Sequence, residues 1–162
     1  MEISSSPAFF NEIANHPGVF PYVSQAGDGP VDFSSVWDDC IGIQFERGGW
    51  VFHRRLPDVY EVHTLFFPKG PGERRAVDEL AQCALSYMFE SMGAEAIITQ
   101  VAKDLPHVRR LAERAGFVWF AGQKDGWLRE SGAVDVDFFE LTREAWMEGQ
   151  GCPQQQSSQP LP

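Results

Sequence analysis

The run from Cys40 to Phe117 leaves few folds open. It starts with three short apolar segments separated by tight turns. Cys40 to Phe45 reads as a strand. Arg47-Gly48-Gly49 supplies a hairpin turn with two residues free to take positive φ. Trp50 to Leu56 is a second strand, and Pro57-Asp58 turns the chain again. Val59 to Phe67 is a third, alternating at first and then continuously apolar, as a central strand does. Turns this short allow only antiparallel neighbours.

Helical periodicity then takes over. Glu73 to Met92 carries Val77, Leu80, Ala84, Met88 and Met92 on one stripe, and Gly93 ends it. Glu95 to Val101 is a strand. Pro106 to Ala115 is a helix with proline in its first turn and Gly116 behind it. Phe117 to Ala121 and Val134 to Leu141 read as strands, with Gly122 to Gly132 as the loop between them. Thr142 to Met147 starts a short helix. Upstream, Ala8 to Asn15 forms a helix with Phe9, Phe10 and Ile13 on one face, stopped by Asn15-His16-Pro17-Gly18. Pro21 to Val36, with Gly27, Gly29 and Pro30, reads as loop.

This order predicts an α/β chain of the α+β kind: a mixed, mainly antiparallel sheet of five to seven strands flanked by helices. The 162 residues make one core. The domain is expected to span 1–148. The remainder, Gly149 to Pro162, reads GQGCPQQQSSQPLP and is expected to be a disordered tail.

Thirteen Lys and Arg stand against 23 Asp and Glu, a formal charge of −10. A field of that sign repels phosphate backbones, so nucleic acid is not an expected partner. Cys40, Cys83 and Cys152 are odd in number and form no CxxC, which argues against a disulfide framework or a cysteine-only zinc site. They read as reduced thiols of a cytoplasmic protein. No signal peptide is visible in Met1 to Pro7, and no apolar run is long enough for a membrane span. His16, His53, His63 and His107 lack metal-ligand spacing, so no metal is expected. Asp38-Asp39 and Asp135/Asp137 could attract a cationic amine or a divalent ion, and read equally as solvated turn and strand faces. Trp37, Trp50, Trp119, Trp127 and Trp146 read as core anchors or as contacts to a protein partner or a second copy.

One junction stands out. Pro68-Lys69-Gly70-Pro71-Gly72-Glu73-Arg74-Arg75 joins a strand end to a helix start. Helix N-termini offer unpaired N–H groups to anions, and glycines let a ligand approach the backbone. Lys69, Arg74 and Arg75 place three positive charges where the helix dipole disfavours them. A bound phosphate would account for that; a plain turn with a solvated basic first turn is the alternative.

These residues resemble the GCN5-related N-acetyltransferase (GNAT) family. Its cofactor loop follows the fourth strand as Arg/Gln-x-x-Gly-x-Gly/Ala, and Lys69-Gly70-Pro71-Gly72-Glu73-Arg74 falls there. The run Leu105 to Phe117, ending Leu111-Ala112-Glu113-Arg114-Ala115-Gly116-Phe117, is similar to the family's Asn-x-x-Ala-x-x-Leu-Tyr-x-x-x-Gly-Phe. Leu105 stands at the asparagine position and Ala112 at the tyrosine. Asn15-His16-Pro17 and His63-Thr64-Leu65-Phe66-Phe67-Pro68 look most like small GNAT-like proteins of tailed bacteriophages, found in the host cytoplasm or the virion.

The resemblance implies acetyl transfer from acetyl-CoA to an amine on a small molecule or protein. It implies cofactor contacts at Leu65, Phe66, Phe67, Lys69, Gly70, Gly72, Glu73, Arg74, Arg75 and Asp104. Glu61 and His63, two apart on one strand face, are the candidate proton acceptors. A GNAT-fold binding or structural protein without activity, such as a virion component, is the other expectation. The tail's composition gives a first prediction. A chain truncated after Glu148 keeps its melting temperature within error; a drop of several degrees would mean that the tail docks.

Overall fold

A computed structural model describes residues 1–68 and 74–150. Its strands are β1 (Glu2–Ser4), β2 (Cys40–Phe45), β3 (Gly48–Leu56), β4 (Val59–Phe66), β5 (Ala96–Ala102), β6 (Val118–Arg129) and β7 (Gly132–Thr142). The helices are α1 (Ala8–Ala14), α2 (Phe20–Val23), α3 (Arg74–Ser86), α4 (Pro106–Arg114) and α5 (Arg143–Gln150). One sheet runs β1-β2-β3-β4-β5-β7-β6, within the expected range of strand number.

All neighbours are antiparallel except β4 and β5, which are parallel. That pairing is short: Val59↔Ala96, Tyr60↔Ile97 and Glu61↔Ile98. β4 meanwhile pairs with β3 as far as Phe66↔Gly48, and β5 pairs with β7 from Ala96 to Ala102. Each strand is thus complete on its antiparallel side and released early on its parallel side.

Two apolar clusters cover the two faces. Ile97, Val101, Phe139 and Leu141 pack with Ala81, Ala84, Leu85 and Met88 of the α3 arm and Ala112 of α4. On the other face Val51 and Leu65 pack with Phe10, Ile13 and Ala14 of α1. The β2–β3 hairpin is tighter than the sequence indicates. Glu46-Arg47 forms the turn, while Gly48 and Gly49 already belong to β3. A Cβ on Gly48, at φ 154°, would meet the Leu65 carbonyl oxygen at 2.3 Å; one on Gly49 would meet that of Ile43 at 1.9 Å. Glycine is required here because three backbones converge.

Other differences have local causes. β1 is an edge strand too short to show periodicity. Part of the expected 21–36 loop is ordered as α2, and a 3-10 turn covers Ser34–Asp39. The expected Gly122 to Gly132 loop is a strand up to Arg129. Irregularities at Trp119/Ala121 and Gln123/Trp127, with Asp125 at φ 53°, give this edge strand a loop-like composition. The long helix ends at Ser86, and Tyr87–Ser91 widens into a π turn in which Met92 N–H donates to the Tyr87 carbonyl at 3.0 Å. Met92 therefore leaves the apolar stripe and is exposed. α5 runs to Gln150, two residues past the expected domain boundary.

α5 is fixed by Trp146, which is 5% exposed and stacks on Phe89 at 5.6 Å. Its buried indole N–H has no hydrogen-bond partner among the described residues. Trp146→Ala therefore costs about 3–5 kcal/mol. Trp146→Phe, which keeps a ring and removes the unsatisfied donor, costs less than about 1.5 kcal/mol. Denaturant titration of both variants checks the ordering; equal losses would contradict the packing described.

Candidate active site

The early release of β4 from β5 opens a cleft on the α3/α4 face. Val62 and Thr64 of β4 and Thr99 of β5 form its floor; Ala81 and Ala84 of α3 and Val108, Leu111 and Ala112 of α4 form its walls. Small residues on both helices keep the space open, about 40 Å³. α4 is held by proline at its start and a glycine cap at its end. Gly116, at φ 97°, donates to the Glu113 carbonyl and Phe117 N–H to that of Ala112, at 3.1 and 3.0 Å.

Backbone direction decides which β4 groups face the gap. Phe67 N–H donates to the Arg47 carbonyl, so position 67 faces β3. The Thr99 hydroxyl donates to the Val62 carbonyl at 3.3 Å, so position 62 faces β5. Backbone groups alternate sides along a strand. Leu65 and Phe67 therefore turn their N–H groups to β3, while Thr64 and Phe66 turn theirs to the open side. Among the expected backbone contacts at Leu65, Phe66 and Phe67, only Phe66 turns its N–H to the β5 side. Thr64 joins it, and parity along the strand is the signal that identifies it.

The end of β4 is clamped from the β2–β3 turn. Arg47 accepts from Phe67 N–H at 3.0 Å through its carbonyl and donates from Nη2 to the Pro68 carbonyl at 2.7 Å. His16, which accepts from Gly18 N–H through Nδ1, sets its ring edge on Phe67 at 5.5 Å. Lys69, Gly70, Gly72 and Glu73 lie outside the described residues, and Arg74 and Arg75 are placed in backbone only, at the start of α3.

Glu61, His63 and Leu65 share the opposite, α1-side face of β4. Glu61 is 7% exposed. Arg55 Nε donates to its Oε2 at 2.6 Å and Gln100 Nε2 to its Oε1 at 2.9 Å. Both carboxylate oxygens are therefore engaged, which makes Glu61 an anchor for Arg55 and Gln100. His63 lies between the cleft residues Val62 and Thr64, half-buried, its ring 6.2 Å from that of Phe33. Burial holds its pKa below the usual histidine value; Glu61 works against that shift, and Arg55 and His53 reinforce it. The lowered pKa keeps the imidazole in its neutral form at pH 7.

Asp104 is not free. Arg129 holds it through Nε–Oδ2 at 3.1 Å and Nη2–Oδ1 at 3.3 Å. Asp39, Asp135 and Asp137 are likewise met by Arg54, Lys103 and Arg109. Burial, reinforced by Asp39, pushes the Cys40 thiol up to about 11, so it is no thiolate nucleophile. Among the described residues no group of three side chains could hold a metal ion, and no helix is long and apolar enough to cross a membrane.

No family model matches the chain, and no curated protein matches it in sequence. Solved structures do match its fold. A point mutant of spermidine N-acetyltransferase from Vibrio cholerae has a TM-score of 0.70 at 14% identity, over 93% of this chain and 99% of that one. The same enzyme in complex with CoA and spermine has a TM-score of 0.69 at 15% identity, over 86% and 91%. A GNAT-family acetyltransferase from Bacillus anthracis has a TM-score of 0.56 at 22% identity, over 65% and 67%. The chain has the GNAT fold.

The state of His63 can be measured directly. Its ring titrates below about 6.5 by NMR. The unfolded chain takes up this proton first, so the stability linked to His63 is intact above about pH 6.5 and declines as pH falls toward the folded-state pKa. Melts between about pH 7.5 and 5 show a steeper loss in wild type than in His63→Gln. Parallel losses would mean that His63 is not held neutral by the fold.

Proposed function

We propose that the chain is an N-acetyltransferase that moves an acetyl group from acetyl-CoA to a cationic amine. The observation that carries this reading is the β4–β5 gap, with Thr64 and Phe66 backbone groups aimed into an apolar cleft between α3 and α4. A narrow cleft lined by small side chains, beside backbone amides that β5 does not pair, fits an extended arm of alternating apolar and amide groups. The sequence from Lys69 to Arg75, between β4 and α3, carries the glycines and cations that suit phosphates.

Acetyl-CoA brings the acetyl group as a thioester. The chain's own contributions follow from position. Phe66 and Thr64 N–H groups hold the arm and meet the charge that develops on the carbonyl oxygen. His63, neutral at pH 7, takes the proton lost by the attacking amine as the N–C bond forms and the C–S bond breaks. Ala112 offers no proton donor, so the thiolate takes its proton from water. Glu61 keeps Arg55 and Gln100 in place beside His63.

The acceptor enters from the α1 side, because α3 and α4 close the other face. The formal charge of −10 favours a cationic amine. Polyamines head the test panel because the Vibrio cholerae neighbour was crystallised with spermine. The narrower likeness to phage-encoded proteins rests on Asn15-His16-Pro17 and the His63 to Pro68 strand end, and supports the host cytoplasm or virion as its place.

Calorimetry tests the core of the reading. Wild type binds acetyl-CoA, and Lys69→Ala/Arg74→Ala binds it at least about tenfold more weakly, about 1.4 kcal/mol. No binding by wild type, or equal binding by both, overturns the proposal. Transfer to a polyamine panel should fall by about 10²–10⁴ in His63→Ala. Binding without transfer to any amine would favour the non-catalytic GNAT-fold reading, for which the absence of a hydroxyl at Ala112 speaks.

A further inference from the structure

Residues 20–33 form an arm across the α1-side face of the sheet. One end is tied to α1. Asn15 Nδ2 donates to the Val31 carbonyl at 2.7 Å, and Asn15 Oδ1 accepts from Val31 N–H at 2.8 Å. Asn11 Oδ1 accepts from Phe33 N–H at 3.0 Å. The other end hangs on the last residues of β6. Trp127 Nε1 donates to the Ser24 carbonyl at 3.0 Å, and Ala26 N–H donates to the Leu128 carbonyl at 2.8 Å. Phe33, at the α1 end, packs toward His63.

Arg129 is the residue at which this arm meets the other half of the site. Its side chain is 10% exposed, although β6 is an edge strand. The guanidinium lies over the Trp127 ring at 5.4 Å. Nη1 donates to the Pro21 carbonyl in the arm. Nε and Nη2 clasp Asp104 in two parallel bonds. Asp104 immediately precedes Leu105, the residue from which α4 starts, and α4 is a wall of the cleft. One planar group therefore spans from the cofactor-side helix to the acceptor-side arm. Arginine alone has the fork geometry to do both.

We propose that Arg129 is the positioning residue that couples the two sides, so that filling the cleft beneath α4 steadies the arm over His63. This rests on the acetyltransferase reading of the cleft. A ligand that fixes the start of α4 fixes Asp104; Asp104 fixes the guanidinium; the guanidinium fixes Pro21 and the strand-like contacts behind it. The linkage is reciprocal, so acceptor binding strengthens cofactor binding by the same factor.

Hydrogen exchange with and without acetyl-CoA tests the coupling on the full chain. In wild type, acetyl-CoA slows exchange of the amides in 20–33 several-fold. In Arg129→Gln the cofactor still binds within about tenfold of wild type, or about 1.4 kcal/mol, yet the arm no longer responds. The acceptor KM rises while kcat at saturation holds. Arg129→Lys, which keeps the charge but not the fork, restores little. Asp104→Ala removes both acceptors and so cuts the link to α4 while keeping the Pro21 bond, so it separates coupling from folding; it too silences the arm. An arm that ignores bound acetyl-CoA in wild type, or that responds in Arg129→Gln and Asp104→Ala as it does in wild type, overturns this inference alone. Failure of wild type to bind acetyl-CoA overturns it together with the acetyltransferase reading.

Discussion

Three residue pairs join β4 to β5, and the candidate site exists because the pairing stops there. β4 continues along β3 and β5 continues along β7, each for its full length. Both halves keep their own right-handed twist, and the weakly joined seam between them opens. In a continuous sheet, Thr64 and Phe66 would spend their backbone groups on a neighbour. At the seam β5 no longer pairs with them: the last β4–β5 pair is Glu61↔Ile98.

The rest of the structure maintains the opening from both faces. On one, the small residues Ala81, Ala84 and Ala112 let α3 and α4 flank the seam without filling it. On the other, α1 packs on Val51 and Leu65, and the arm 20–33 extends the cover toward β6. Gly48 and Gly49 allow the hairpin to close on β4 from outside, and Arg47 grips its last residues. The strand end is thereby rigid where it leads into the Lys69 to Arg75 segment. Positioning groups on rigid elements is what a transfer reaction requires of its scaffold.

Much of this was legible in the sequence. Two tight turns fixed the order β2-β3-β4, and the solid apolar end of β4 marked a central strand. Pro106 and Gly116 bracketed α4 to within a residue. What escaped has a common cause, because period and composition describe an element alone and not its neighbours. Gly122, Asp125 and Gly126 look like loop, but edge strands tolerate bulges that interior strands do not. Spacing puts Glu61 and His63 on one strand face as candidate proton acceptors; Arg55 and Gln100, six and 39 residues from Glu61, anchor the carboxylate, which spacing does not reveal. Arg129 carries no motif, and its importance comes from Pro21 and Asp104, which only the folded chain brings together.

The central claim is that beyond the β4–β5 seam the Thr64 and Phe66 N–H groups turn away from β3 and have no pairing strand in β5. Residue-resolved exchange of four consecutive amides tests it most directly. In the free chain, Leu65 and Phe67 exchange slowly because β3 holds them, while Thr64 and Phe66 exchange fast; saturating acetyl-CoA slows Thr64 and Phe66 and leaves the other two unchanged. Slow exchange of all four in the free chain, or indifference of Thr64 and Phe66 to acetyl-CoA, would contradict the account.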